Sequence, residues 1–427
     1  MLKTDGEQRL RDFTAIAYPP TVTEIVPGTI FHVMGYGHSN ASFIIGNESV
    51  ILIDTLDTDA RGEKLAHIIA NKTDKPVKTI IYTHGHPDHR GGAGAFASTD
   101  PEIIAFAPSR PPLSGTEMIS GILDHRGTRQ FGYDLTDDEA ISQGIGIREG
   151  FTVGDGVRRP LPPTTVYEED LVHLDIDGVT LSLVAAPGEC EDEIFVWSEE
   201  HSVLFCADNY FGCWPNLYAI RGGQYRDVAG WIASLDRMRE YPAEALLPGH
   251  THPVLGRENV RETLDTFRNA LDFVLTETLA CMNAGLGIEE TVERVTLPEP
   301  FATSPLLQEF YGTVAWSVRS IYTAYLGWFD GNPTHLNPLP PKKRATKMVE
   351  QMGGRDAVLT AATGAIESGD AQWALELADL LMTLDPDDRE ARDAKARGLR
   401  DLARQETSAN GRHYYLASAN ELRNESS

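Results

Sequence analysis

Three histidines and an aspartate crowd into the stretch THGHPDH (83–89), as His84, His86, Asp88 and His89. Imidazole nitrogen and carboxylate oxygen are the donors that zinc accepts in catalytic sites, where a coordination position stays open for water. His84 and His86 alternate along the chain and can reach one metal, leaving Asp88 and His89 for a neighbour. A lone histidine is ordinarily a surface or core residue, but this density directly after a strand-like run points to a metal centre. The rest of a dinuclear site must come from other loops. AAPGEC (185–190) offers Glu189, FCADN (205–209) offers Asp208 and LLPGHTH (246–252) offers His250, each after an apolar run. Asp208 suits a bridge, since two carboxylate oxygens can hold two metals ~3.5–4 Å apart. By type and spacing alone, Glu191, Asp192, Glu193 and His252 compete with these three.

Strands and turns must position those residues. FHVMG (31–35), SFIIGN (42–47) and SVILIDT (49–55) are short and rich in β-branched residues, with Gly-Asn as a hairpin signal between the last two. Ala60–Ala70 reads as a helix and KTIIYTH (78–84) as the strand that carries the cluster. LVHLDID with VTLSLVAAPG (171–188), EIFVWSEEHSVLFCADN (193–209) and EALLPGH (244–250) follow, with a helix from Asp227 to Arg239. Hairpin strands interleaved with helices predict sheets packed face to face with helices outside. The Gly-, Pro- and charge-rich stretch 108–163 reads as a long surface excursion over the site.

From about Arg257 the apolar residues recur at helical spacing, through Val260–Met282 and Leu306–Leu326. The segment DGNPTHLNPLPPKK (330–343) is a linker that no helix tolerates. Arg355–Ser368, Ala371–Leu384 and Glu390–Gln405 read as amphipathic helices, and SGDAQWALELADLLMTLDPDDREARDAKA resembles one tetratricopeptide-type helical hairpin. One such unit cannot bury its own apolar face, which predicts packing on the catalytic part or on a second copy, with a homodimer preferred. The expected division is 1–256 for a catalytic domain and 257–427 for a helical one.

A formal net charge of −26 over 427 residues argues against nucleic acid and anionic membranes as partners. An anionic substrate would then need a local cation inside a repulsive field. Cys190, Cys206, Cys213 and Cys281 are too few and too scattered for a disulfide scaffold. No apolar stretch approaches the ~20 residues that span a bilayer, and MLKTDGEQRLRDF lacks the core of a secretory leader, so a cytoplasmic protein is expected.

The order His-x-His-x-Asp-His, an acidic ligand, an aspartate and then Gly-His resembles the metallo-β-lactamase superfamily. More narrowly, THGHPDHRGG (83–92), NLYAIRGGQYRD (216–227) and EFYGTVAW…YLGWFDGNPTHLNPLPP (309–341) resemble its alkylsulfatases. The likeness continues through MGG (352–354), SGDAQWALELADLL (368–381) and HYYLASANELR (413–423). It implies an α/β fold: an αββα metallo-β-lactamase sandwich followed by an all-α dimerisation domain, without the sterol-carrier-like C-terminal domain common in the family. It implies two Zn²⁺ per subunit, the first on His84, His86 and Glu189, the second on Asp88, His89 and His250, with Asp208 bridging. Glu189 is singled out because it lies 19 residues before Asp208, as in the family. The family's sulfate clamp maps onto Asn216 and Arg221, and Arg226 is a weaker second cation. A planar guanidinium fork suits a pair of anionic oxygens.

The chain departs from the family at three places: Asp208 stands where glutamate is usual, Trp316 and Ser317 where His-Asn is typical, and Trp328 where tyrosine is frequent. The expected reaction is hydrolysis of an alkyl or aryl sulfate ester to an alcohol and sulfate. Asp88, Asp208 and Arg221 are the expected catalytic groups, and Asn216, Arg221, Trp316 and Trp328 the expected substrate contacts, with Trp214 and Phe329 as further apolar lining. Rival expectations are a hydrolase of the same fold acting on a phosphoester, lactone or β-lactam, and a metal-containing oligomeric binding protein without turnover.

Overall fold

The computed structural model describes residues 5–424; the first four residues of the stretch read above for a leader lie outside it. Two sheets form the centre. The first holds, in spatial order, β1 (Thr21–Val26), β2 (Ile30–Met34), β3 (Ala41–Ile45), β4 (Val50–Ile53), β5 (Val77–Ile81), β6 (Glu102–Phe106) and β7 (Thr165–Tyr167). The second runs β13 (Val254–Leu255), β12 (Ala245–Pro248), β11 (Val203–Ala207), β10 (Ile194–Ser198), β9 (Val179–Ala185), β8 (Leu171–Ile176). Between them lies a core of Ile44, Ile51, Ile81, Leu183, Val196 and Phe205 with their neighbours, all essentially without solvent contact. Burying each such side chain contributes ~1.5–3 kcal/mol.

Helices cover both outer faces. Leu65 and Ile69 of the helix Asp59–Ala70 pack under Phe43 and Leu52 of the first sheet. Trp231 and Leu235 of the helix Val228–Arg239, with Phe267 and Leu271 of Arg257–Asn283, pack under Phe195 and Leu204 of the second. Strands covered on both faces must be apolar on both, which is why β4 reads Val-Ile-Leu-Ile without alternation and is buried throughout. The αββα layering predicted above is therefore the fold.

Strand direction matters most for the site. β2, β4 and β5 run the same way in the first sheet, and β9, β11 and β12 in the second, so their C-terminal loops leave each sheet at one edge. Four residues other than glycine take left-handed backbone at those ends: Asp54 (φ 58°), Leu56 (φ 64°), Ala207 (φ 50°) and Thr251 (φ 59°). Such strain costs on the order of 1–3 kcal/mol per residue and concentrates at functional sites.

Several elements differ from expectation, among them a helix, Pro341–Gln351, that begins inside the stretch read as linker, with Pro341 in its first turn, where a missing amide hydrogen costs nothing. The excursion 108–163 contains a real helix, Ser120–Phe131, ended by Gly132 in the left-handed region (φ 63°). The chain opens with a helix, Gly6–Ala17, capped by the Asp5 side chain. The run expected as Leu306–Leu326 is helical only over Val314–Leu326: Pro305 starts an isolated 3-10 turn, and the Thr313 side chain caps the later helix by accepting from the Trp316 amide. A final helix, Ala409–Asn424, closes the C-terminal stack. Among the described residues no helix is long and apolar enough to cross a membrane.

Candidate metal centre

β5 delivers Thr83 and His84, and Pro87 then opens a single helical turn, Pro87–Arg90, that turns Asp88 and His89 back toward the sheets. Asp54, at the end of β4, anchors this loop. It accepts from the Thr83 amide (2.9 Å) and hydroxyl (2.7 Å), and from His89 Nδ1 (2.7 Å). The carboxylate fixes the His89 tautomer, so Nε2 faces the centre as a lone pair. His250 follows β12 and is set the same way: its Nδ1 donates to the His38 carbonyl at 3.0 Å.

The predicted set converges. His84 Nε2 lies 3.0 Å from His86 Nδ1 and 3.7 Å from Asp208 Oδ2, and His86 Nδ1 lies 3.2 Å from Glu189 Oε2. On the other side, Asp88 Oδ2 is 3.4 Å from His89 Nε2 and 3.5 Å from His250 Nε2. Asp208 reaches both: Oδ1 is 3.4 Å from His89 Nε2, and Oδ2 is 3.4 Å from His250 Nε2. Four donor groups result among the described residues: His84/His86/Glu189/Asp208 and His89/Asp208/His250, which share Asp208, and His84/His86/Cys190 and His38/Asp88/His250. His89 Nε2, His250 Nε2 and Asp208 Oδ1 are fully buried without any hydrogen-bond partner. Orphaned buried polar atoms are costly, and three of them facing one point fit a pair of divalent cations. Two donors bound ~2.1 Å from one cation sit ~3.4 Å apart at the tetrahedral angle, the spacing seen here.

In the cation-free centre burial opposes charge on the rings, yet Cys190 and Glu189 raise His86, and Asp208 and Asp88 raise His89 and His250, so these three imidazoles give up a proton when a cation binds. Burial alone would raise the carboxyl of Asp208, but His89, His250 and His84 hold it well below the usual range. Burial also works against ionisation of Asp88, and His89, His38 and His250 outweigh it. Both carboxylates are thus anionic donors at neutral pH. Burial, then the neighbouring His89, push the His84 ring well below its ordinary value, which keeps it a neutral ligand.

The competing acids separate by position. Glu193 is as buried as Glu189, but its Oε2 accepts from the Glu189 amide at 2.8 Å and so holds the loop rather than the cation site. Burial, with Asp208 and Glu189 nearby, raises its carboxyl well above the ordinary range. Glu191 is tied to Ser109 and Arg110 outside the centre, and His252 Nε2 donates to the Ile16 carbonyl on the surface. Two groups escaped the sequence reading: Cys190 places Sγ 3.2 Å from His86 Nε2, and His38 stands beside Asp88. Neither lies in a motif.

Gly249 permits the closest approach. A Cβ there would stand 2.1 Å from Asp208 Oδ1 and 2.8 Å from His89 Cε1. Gly249→Ala is therefore expected to fold but to bind divalent metal at least tenfold more weakly, measured by titration. Unchanged affinity would show that the loop yields without moving either ligand.

The centre floors a cavity of about 430 Å³ whose walls include Leu123, Phe131, Tyr133, Phe151, Arg221 and Tyr311. Much of that wall belongs to the excursion 108–163. Arg221 donates its backbone N–H to Gln130 Oε1 at 2.7 Å, and its guanidinium makes no ion pair among the described residues. Arg226 also lines the cavity but is committed, pairing with Glu189 Oε1 at 2.5 Å and with the Asn216 carbonyl. The remaining expected contacts lie elsewhere. Asn216 sits behind the wall, with its side-chain amide buried and unpartnered. Trp316 is half-buried on the helix Val314–Leu326, whose Val318 and Ile321 face the helical core. After Gly327 (φ 75°) the chain leaves the body, and Trp328 stands 75% exposed against Phe329. In this single chain neither tryptophan reaches the cavity, which corrects their expected role as its lining. Trp214 is fully buried, donating to Ser317 Oγ at 3.1 Å, so it too is core.

Comparison with known proteins places this arrangement. A model of the metallo-β-lactamase superfamily matches residues 34–250, and one for the alkyl sulfatase dimerisation domain matches 287–425. A linear primary-alkylsulfatase from Pseudomonas sp. (strain ATCC 19151) is 38% identical over 384 residues, covering 88% of this chain and 72% of that protein. An alkyl/aryl-sulfatase from Saccharomyces cerevisiae is 32% identical over 93% of this chain, which spans only 63% of the yeast protein. The solved structure of a stereoselective inverting sec-alkylsulfatase from Pseudomonas sp. superposes with a TM-score of 0.86 at 27% identity, over 98% of this chain and 67% of the other. With its two-sheet core, its shared-aspartate centre and these matches, the chain belongs to the alkylsulfatase family of the metallo-β-lactamase superfamily.

Proposed function

We propose that this chain hydrolyses alkyl sulfate esters to an alcohol and inorganic sulfate at a centre of two zinc ions. His84, His86 and Glu189 hold one, and Asp88, His89 and His250 the other, with Asp208 between them. The observation that carries the reading is Asp208, common to two donor groups on the floor of a cavity that also presents an unpaired guanidinium. When bound, the cations supply Lewis acidity and lower the pKa of a water toward neutrality. Asp88 and Asp208, both ionised, would hold the cations and accept the hydrogen bond that orients the attacking water. Arg221 donates to sulfate oxygens and stabilises charge that grows in the transition state. Leu123, Phe131 and Phe151 exclude water around the organic group. A free cation inside a chain of net charge −26 is what an anionic substrate requires.

The first 256 residues form the catalytic part on this reading, and 257–427 the part that associates. A homodimer is supported by the apolar side chains left exposed along 325–339: Tyr325, Leu326, Trp328, Leu336 and Leu339.

The test is a panel of a primary alkyl sulfate, a phosphodiester, a lactone and a β-lactam on zinc-loaded protein. Sulfate release is expected from the first. Arg221→Ala is expected to raise KM for it about 10–100-fold, since a hydrogen bond to a charged group contributes ~1.5–3 kcal/mol. Turnover of another ester without sulfate release overturns the assignment.

A further inference from the structure

His38 lies on the loop between β2 and β3, outside every motif that pointed to the metal centre. It is 5% exposed and sits on the cavity wall. Its Nδ1 is 3.1 Å from the Ile147 carbonyl, an oxygen that can only accept, so Nδ1 carries the hydrogen and Nε2 presents a lone pair. His89 and His250 are held by the same device, Nδ1–H to an oxygen acceptor with Nε2 turned to the centre. His38 Nε2 makes no hydrogen bond among the described residues and lies 3.9 Å from Asp88 Oδ2. One donor atom each from His38, Asp88 and His250 falls within 4.8 Å of the others, and the two rings are 5.1 Å apart between centroids.

The loop is built to keep the ring there. The His38 amide donates to Asp57 Oδ1 at 3.2 Å, and the His38 carbonyl is the acceptor that orients His250. A Cβ on Gly146 would stand 1.9 Å from the His38 carbonyl oxygen and 2.9 Å from Nδ1, so only glycine lets the 146 backbone close over this residue. Asp88 Oδ2 lies 3.5 Å from His250 and 3.9 Å from His38, so a cation held by Asp88 and His250 is within reach of His38. Donors ~2.1 Å from a metal separate by ~3.4 Å at the tetrahedral angle and by at most ~4.2 Å on opposite sides.

We infer that His38 is a ligand of the second cation, giving that site three imidazoles and Asp88 in addition to the shared Asp208. This rests on the dinuclear reading of the centre but not on the identity of the substrate. Five protein donors exceed the tetrahedral set that zinc usually takes, and the site then favours five-coordinate binding, which Co²⁺ reports in its visible spectrum.

The experiment is cobalt and zinc titration of the full chain, wild type beside His38→Ala and His38→Asn. Thermal unfolding would confirm that both variants fold; the backbone carbonyl that orients His250 remains in each. Wild type is expected to bind two cobalt ions, the second with a weak five-coordinate spectrum. Both variants are expected to lose affinity at the second site at least tenfold, keep the first, and show stronger absorption as coordination falls to four. Unchanged affinity and spectrum overturn the assignment whatever the substrate panel returns, and a KM change alone would make His38 a substrate contact instead. Failure of sulfate release with the spectral change intact would sink the substrate reading only. Absence of metal from the wild type would sink both.

Discussion

Asp208→Asn is expected to lower kcat/KM for an alkyl sulfate by about 10³, or ~4 kcal/mol of transition-state stabilisation. The side chain is 1% exposed and is shared by the donor groups His84/His86/Glu189/Asp208 and His89/Asp208/His250. Replacing one oxygen by an amide keeps the volume but removes a negative charge and puts an N–H donor, which cannot coordinate a cation, where Asp208 presents an oxygen 3.4 Å from His89 Nε2 or His250 Nε2. Metal content is expected to fall from two ions per chain to one, with folding retained. Asp208→Glu, which restores the residue usual in the family, is expected to keep both ions. The check is metal quantification beside steady-state kinetics. Full activity with two metals in the asparagine variant would remove Asp208 from the bridge.

The second large effect falls on stability. Arg226 is nine-tenths shielded, and its Nη1 donates to both Glu189 Oε1 and the Asn216 carbonyl. Burial works against its charge, and Glu189 more than restores it. Removing one partner of a buried pair leaves the other charge uncompensated, at a cost of ~3–5 kcal/mol. Arg226→Ala is therefore expected to lose that much in chelator. Zinc gives Glu189 a new cation, so the loss is expected to shrink in saturating zinc; the ~2.7 kcal/mol that a native-state ligand contributes at 100 times its Kd is common to both proteins and cancels. Arg226→Lys keeps the charge but on a shorter arm with a compact, strongly hydrated head, and should fall between. Denaturant unfolding with and without zinc reads the difference. An equal loss in both conditions would show that Arg226 acts through packing and not through Glu189.

The two arginines also show how little of a site's division of labour is written locally. Arg221 and Arg226 lie in one loop, and residue type cannot tell which is free. The fold commits Arg226 to a ligand and leaves Arg221 facing the cavity. Asn216 was expected beside Arg221 by resemblance, yet its side-chain amide is buried behind the wall and its carbonyl accepts from Arg226. Burial of Glu193 likewise cannot be told from burial of Glu189 by pattern, because both follow the same strand.

What the sequence determined by itself was whatever depends on near neighbours. Strand and helix periods marked β2 to β5 and β8 to β12, because burial on one or both faces selects residues at fixed local intervals. His84, His86, Asp88 and His89 stood out because they come from one turn after one strand. The tertiary structure alone decided what depends on distant loops meeting. It brought His38 beside Asp88, set Cys190 against His86, and placed Phe131 and Phe151 on the cavity wall that Trp316 and Trp328 do not reach. Those contacts join segments far apart in the chain, and no local period records the angle at which two sheets and an excursion close over one edge.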